Sequence, residues 1–272
     1  MLALAVPIGL LIGLSLGALG GGGSILTVPA LVYLLGQDTN AATTGSLLIV
    51  GVTALAGTAA HHQAGEVRVV QGLVFGVLGI AGSWFGSKMS ASVAPNVLLA
   101  AFSILMLAVA ALMFARNRRD HARSGKPDNP DSSQEPILSF APRFVCACPR
   151  AAKVLVTASA VGLLTGFFGV GGGFAVVPAL VLALGFTMPV AVGTSLLVIA
   201  INSASALVSR LGQGVQLDWT LIGVFTLVAI VGSLAGGRLA RRVRAERLTT
   251  AFTLLLVAVA LYTAARSIPQ LV

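Results

Sequence analysis

The sequence predicts an all-α fold, a polytopic transmembrane helix bundle built from two homologous halves. Three observations carry this prediction. The chain has 57% hydrophobic and only 9% charged residues, with a mean hydropathy of +0.98, whereas a soluble domain carries about 25% charged residues. Its apolar residues fall in long continuous runs, the pattern of membrane spans. The second half of the chain repeats the first. In lipid the backbone must satisfy its own hydrogen bonds, which leaves helices or closed barrels. Continuous rather than alternating runs select helices.

The runs lie at 2–19, 24–36, 41–60, 69–87 and 97–115, then at 154–169, 174–185, 187–209, 219–237 and 248–265. The first residues, Met1-Leu2-Ala3-Leu4, lack the basic region of a cleaved signal, so 2–19 is expected to be a retained span. Between the two sets lies a polar stretch with Arg116, Arg118, Arg119, Arg123, Lys126, Pro127 and Pro130. It cannot bury enough apolar surface to fold alone and is expected to be a partly disordered linker. The division is therefore a transmembrane repeat at 1–115, a basic linker at 116–152 and a second transmembrane repeat at 153–272.

The repeat is explicit. Gly20-Gly21-Gly22-Gly23-Ser24 with Val28-Pro29-Ala30-Leu31-Val32 matches Gly169-Val170-Gly171-Gly172-Gly173 with Val177-Pro178-Ala179-Leu180-Val181. At the same offset Gly13 pairs with Gly162, Gly36 with Gly185 and Ser46-Leu47-Leu48 with Ser195-Leu196-Leu197. After one inserted residue, Gly82-Ser83 pairs with Gly232-Ser233 and Lys88 with Arg238. Such self-similarity is an internal duplication.

Charge sets the orientation. The net charge of +9 sits mainly in 116–153 and 238–247. It reads as the positive-inside bias of cytoplasmic loops and not as a nucleic-acid surface. The loop at 238–247 holds Arg238, Arg241, Arg242, Arg244 and Arg247, while its counterpart at 88–96 holds only Lys88. That asymmetry implies inverted halves, which requires an odd number of crossings in each. Five segments per half satisfy this if the short runs at 24–36 and 174–185 count, and both termini then lie outside. If those runs are re-entrant, each half crosses four times and the repeat is parallel. Cys146 and Cys148, beside the linker, read as free cytosolic thiols and not as a zinc pair.

The glycine clusters are the candidate site. Glycine costs about 1 kcal/mol in a helix interior relative to alanine, so consecutive glycines should break a helix, with restarts near Ser24 and Phe174. The first amides of a restarted helix lack intrahelical partners and carry the positive end of its dipole. Paired interruptions in two halves point to a transporter's site, and a small oxyanion suits such donors. The expected binding residues are Gly20, Gly21, Gly22, Gly23, Ser24, Gly169, Gly171, Gly172 and Gly173, with Pro29 and Pro178 as helix-breaking prolines. Thr43, Thr44 and Ser46, with Thr194, Ser195 and Asn202, add neutral polar groups. His61, His62 and Arg210 are candidates for an anion vestibule, with a loop-end polar cap of the histidines near Glu66 and Arg68 as the competing and preferred reading. The competing reading is close helix packing, which scattered Gly76, Gly79, Gly223 and Gly232 are expected to serve. Asp38, Glu66, Asp218 and Glu246 all fall at segment ends, which weakens a cation carrier.

Taken together, these motifs resemble the TauE/SafE family, also described as toluene-sulfonate uptake permeases. The resemblance rests on Gly17-Ala18-Leu19-Gly20-Gly21-Gly22-Gly23-Ser24 with Pro29, on Gly166-Phe167-Phe168-Gly169-Val170-Gly171-Gly172-Gly173 with Pro178, and on Gly45-Ser46-Leu47-Leu48 and Gly193-Thr194-Ser195-Leu196-Leu197. It implies a multi-pass bacterial inner-membrane transporter of sulfite or other organosulfur anions. With the linker placed in the cytoplasm by its charge and the paired interruptions, the expected function is export of sulfite, a sulfonate or another small anion by alternating access. An anion channel and a carrier of non-sulfur organic anions are the alternatives. The expected partners are a small anionic solute, the lipid bilayer and a coupling proton or ion, with no nucleic acid. No enzyme activity, cofactor or metal is expected, because the spans hold no paired carboxylates, ligand cluster or Ser/His/Asp set.

Overall fold

The computed structural model describes residues 2–90, 95–123, 148–168, 173–210 and 217–267. Among these residues the chain forms ten α-helices and no strand. The first half holds α1 (Leu2–Leu19), α2 (Gly22–Pro29, continued by a π-turn at Ala30–Leu34), α3 (Thr39–Gln63), α4 (Val69–Ser90) and α5 (Pro95–Arg123). The second half holds α6 (Cys148–Phe168), α7 (Gly173–Leu182), α8 (Met188–Arg210), α9 (Trp219–Arg242) and α10 (Ala245–Ser267). The linker expected at 116–152 loses its first residues to α5 and its last to α6; 124–147 lie outside the described residues.

Local chemistry sets the boundaries. Asp38 accepts from the amides of Asn40 (2.9 Å) and Ala41 (3.4 Å), and Asp218 accepts from Leu221 N (3.1 Å), so both acids are N-caps. Gly36 and Gly185 end the short helices in the left-handed region (φ 63° and 73°). The following residues close matching turns, Gln37 N to Leu31 O at 3.0 Å and Phe186 N to Leu180 O at 3.1 Å. Pro29 and Pro178 do not break their helices as expected. Both lie inside them, and α7 runs on to Leu182. Proline removes one amide donor; after Pro29 the chain widens into the π-turn, where Leu35 N reaches Ala30 O (3.2 Å).

Five helices among the described residues are long and apolar enough to cross a membrane: Asn40–Gln63, Val69–Gly86, Met188–Arg210, Trp219–Arg242 and Ala245–Ala264. Leu11 and Leu227 are 65% and 67% exposed. A surface this apolar suits lipid.

Glycines set the helix crossings. Gly9, Gly13 and Gly17 of α1 face Phe225, Ala229 and Ser233 of α9 in the same order, so these helices run parallel. Gly45 and Gly57 of α3 face Ile222 and Ser233, so α3 is also parallel to α9. The chain between α1 and α3 must therefore run back, and α2 with its π-turn makes that return. By contrast, Gly51 faces Ser203, Gly57 faces Leu196 and Gly193 faces His61, so α3 and α8 are antiparallel. Contacts recur at paired positions. Gly232 packs on Gly13 and Leu14, and Gly82 on Gly162 and Leu163. The partners α1 with α9 and α4 with α6, and α3 with α9 and α4 with α8, follow the same exchange. This arrangement is compatible with two inverted halves. Among the glycines read as packing positions, Gly76, Gly79 and Gly232 meet Ile201, Asn202 and Leu10, while Gly223 would meet nothing within 4 Å. The packing expectation fails for Gly223, because its face is open.

Candidate functional site

The first interruption is narrower than four glycines suggest. Gly20 N still bonds Leu16 O at 2.8 Å, and Gly20 itself is left-handed (φ 68°). Gly21 is already right-handed (φ −58°, ψ −18°), so α2 restarts at Gly22 and not near Ser24. In the second half α7 restarts at Gly173, while Gly169, Gly171 and Gly172 lie outside the described residues. Among the described residues no side-chain cap bonds the start of α2, whose N-cap is Gly21.

The two restarts adjoin. A Cβ on Gly173 would lie 2.8 Å from Ser24 Oγ and 3.0 Å from Gly21 Cα. One on Gly20 would lie 2.5 Å from Ser195 Oγ. Gly21, Ser24, Gly173 and, by way of Gly20, Ser195 thus form one cluster. Gly22 and Gly23 face elsewhere. Their Cβ directions are filled by Leu255 Cδ2 (2.6 Å) and by the α1 backbone at Leu16 N (2.6 Å). Both positions serve packing on that side, as the competing reading held.

Within the cluster Ser24 donates to Gly21 O (2.7 Å) and Ser195 to Val192 O (2.8 Å), each within a turn of its own helix. The other candidate side chains are dispersed, and Ser46 donates to Thr43 O (2.8 Å). Thr194 Oγ1 accepts from Arg68 N (3.1 Å), joining α8 to the start of α4. Thr44 Oγ1 accepts from Arg210 Nη1 (3.3 Å) at the other end of the α3–α8 pair. Asn202 lies against Gly79 of α4, with its buried Oδ1 unpartnered among the described residues. His62 is exposed, whereas His61 is buried. The vestibule expected of His61, His62 and Arg210 therefore does not form as one site, because α3 and α8 run antiparallel and put His61 and Arg210 at opposite ends.

Three features escaped the sequence reading. Thr53 Oγ1 and Ser233 Oγ are buried without a hydrogen-bond partner among the described residues. His61 bridges Glu66 and the Gly17 carbonyl. Arg116 donates to Val181 O (2.6 Å) and Leu182 O (3.3 Å), placing a cation on the negative end of α7. The Glu66 contact had a local signal in Gly65, the turn glycine between the two residues. The other two depend on helix register across the fold. Among the described residues no three His, Cys, Asp or Glu side chains gather as metal ligands.

A sequence profile described as sulfite exporter TauE/SafE matches residues 5–263, nearly the whole chain. The chain belongs to the TauE/SafE family. A "Probable membrane transporter protein" of Xylella fastidiosa (strain Temecula1 / ATCC 700964) is 32% identical over 276 residues, covering 100% of this chain and 98% of the relative. The "Probable membrane transporter protein YunE" of Bacillus subtilis (strain 168) is 28% identical over 263 residues, covering 92% and 91%. No solved structure matches the chain. Family membership makes this chain a membrane transporter. For a TauE/SafE protein the apolar exterior is the lipid-facing surface, and a small solute is the partner.

Proposed function

We propose that the protein is a secondary carrier that exports sulfite, a sulfonate or another small anion across a bacterial inner membrane, with the central linker on the cytoplasmic side. One observation carries this reading: the abutting starts of α2 and α7 around Gly21, Ser24 and Gly173, with no side-chain cap on α2 among the described residues. Amides at a helix start point along the axis toward its N-terminal end and favour negative charge. Two such starts meeting inside an apolar bundle suit an oxyanion, and the hydroxyls of Ser24 and Ser195 lie beside them. The first helices of each half bear on the opposite half, α1 on α9 and α6 on α4, so rocking one half would reopen the cluster toward the other face.

Sulfite counterflow in proteoliposomes tests this. Wild type should show trans-stimulated uptake, and Ser24→Ala and Ser195→Ala should each lose about tenfold in rate, the scale of a hydrogen bond to a charged group. Gly22→Leu is a poor probe because Leu255 occupies its space. Flux by both serine variants equal to wild type, at equal reconstituted protein, overturns the site. Uptake without trans-stimulation would identify a channel.

A further inference from the structure

Two contacts hold opposite ends of the antiparallel α3–α8 pair. At one end Arg210 Nη1 donates to Thr44 Oγ1 at 3.3 Å. At the other His61 packs against Gly193. The repeat offset pairs His61 with Arg210 and Gly193 with Thr44. The two contacts are therefore equivalent places in the two halves, filled by different chemistry. A guanidinium keeps its charge at all ordinary pH values. An imidazole is the side chain that gains or loses a proton near neutrality.

The His61 ring has two partners. Nε2 lies 3.1 Å from Gly17 O, which only accepts, so Nε2 carries a hydrogen and donates. Nδ1 lies 2.6 Å from Glu66 Oε2. That contact is a hydrogen bond only with a proton between the two atoms, written as imidazolium with carboxylate or as imidazole with carboxylic acid. The backbone holds Glu66 in place. Gly65 is left-handed (φ 75°), and Glu66 N returns to His61 O at 3.0 Å. Neighbours leave no slack, since a Cβ on Gly193 would lie 2.5 Å from Glu66 O and one on Gly237 3.1 Å from His61 Nε2. The charged groups on the elements packed against it are His62, Arg68 and the α9 arginines Arg238, Arg241 and Arg242. His62 and the three α9 arginines are exposed, and Arg68 at the start of α4 is half-buried with its amide on Thr194. Residues 2–19 of α1 and 188–209 of α8 contain no titratable side chain.

We propose that the His61–Glu66 pair is a proton-binding site that latches α1 to the end of α3, making the proton the coupling ion and leaving the Arg210–Thr44 end indifferent to pH. With the proton bound, the ring serves Gly17 and Glu66 together. When it leaves to water, one N–H remains for two acceptors, and no other bond changes. Either Gly17 O or Glu66 then loses its donor. Gly17 lies one turn before the left-handed Gly20, so release reaches the helix interruption directly. The use of this latch in transport rests on the carrier reading above, but the latch itself does not.

Hydrogen exchange followed by mass spectrometry on the full chain in nanodiscs tests it, at about pH 5.5 and about pH 8. Rates are corrected for the intrinsic pH dependence of exchange. The peptide covering 15–24 should exchange about tenfold faster at the higher pH, the loss of a charge-assisted hydrogen bond, while 40–46 should not change. In His61→Gln and in Glu66→Gln the difference at 15–24 should vanish. No pH difference at 15–24 in wild type, or one that persists in either variant, overturns the latch. Sulfite counterflow by the same preparations separates the two readings. A pH-dependent 15–24 segment without sulfite transport removes the proposed substrate and keeps the proton site.

Discussion

Gly22 and Gly23 are neighbours of the same type, yet the fold asks different things of them. A methyl on Gly22 would meet the flexible end of Leu255, whereas one on Gly23 would meet the backbone of Leu16 and Ile12. Backbone cannot move aside without shifting a helix. Gly23→Ala should therefore cost about 1–3 kcal/mol, the usual range for overpacking, and lower the melting temperature in detergent. Gly22→Ala should cost clearly less. Gly223→Ala meets open space and should be neutral or stabilising by up to about 1 kcal/mol, from helix propensity alone. A thermal-shift series across these three variants checks the order. Destabilisation by Gly223→Ala equal to that of Gly23→Ala would show that the crossings are wrongly placed. Gly20 was legible as a break because of its composition, but its left-handed backbone was not, since any of the four glycines could have supplied it.

At the scale of elements, α1 and α6 are held in the same way. Gly13 fits against the backbone of Ala229 in α9, and its repeat partner Gly162 fits against Gly79 and Leu78 in α4. In lipid, helices associate through close packing of small residues because no water drives them together. Replacing either glycine with leucine should force the pair apart. Gly13→Leu and Gly162→Leu are each expected to abolish the monodisperse peak in size-exclusion chromatography, and to similar extents. A large effect of one and none of the other would mean that the halves do not pack equivalently. The glycine spacing at 9, 13 and 17 could be read from the sequence. Its partner could not, because small-residue stripes in several helices are interchangeable until register is known.

The whole molecule has two faces. The ends of α3 and α9 share one face because those helices run parallel, and the arginines at 238–247 lie there. Contacts between α5 and α10 are antiparallel, Ser103 with Thr263 at 3.0 Å at one end and Met113 and Arg116 beside Ala245 and Thr249 at the other. This puts the end of α5 on the arginine-rich face. The start of α1 lies on the opposite face. With single cysteines in intact cells, an impermeant maleimide should label Ala3→Cys and spare both Cys146 and Arg244→Cys. A parallel repeat of four crossings per half predicts Ala3→Cys and Cys146 on one side, so their labelling together would exclude the inverted arrangement.

Sequence alone determined the lipid environment, the helical class and the self-similarity of the two halves, because each depends on composition or on similarity between positions. It also located the paired interruptions and the short segments around Pro29 and Pro178. Only the tertiary structure decided which glycines face a neighbouring backbone, that Thr44 and Thr194 belong to opposite ends of the α3–α8 pair, and that His61 is buried between Glu66 and Gly17 while His62 is exposed. Those outcomes depend on helix direction and rotation. Uniformly apolar helices carry little amphipathic signal to reveal rotation, so contact between helices sets it.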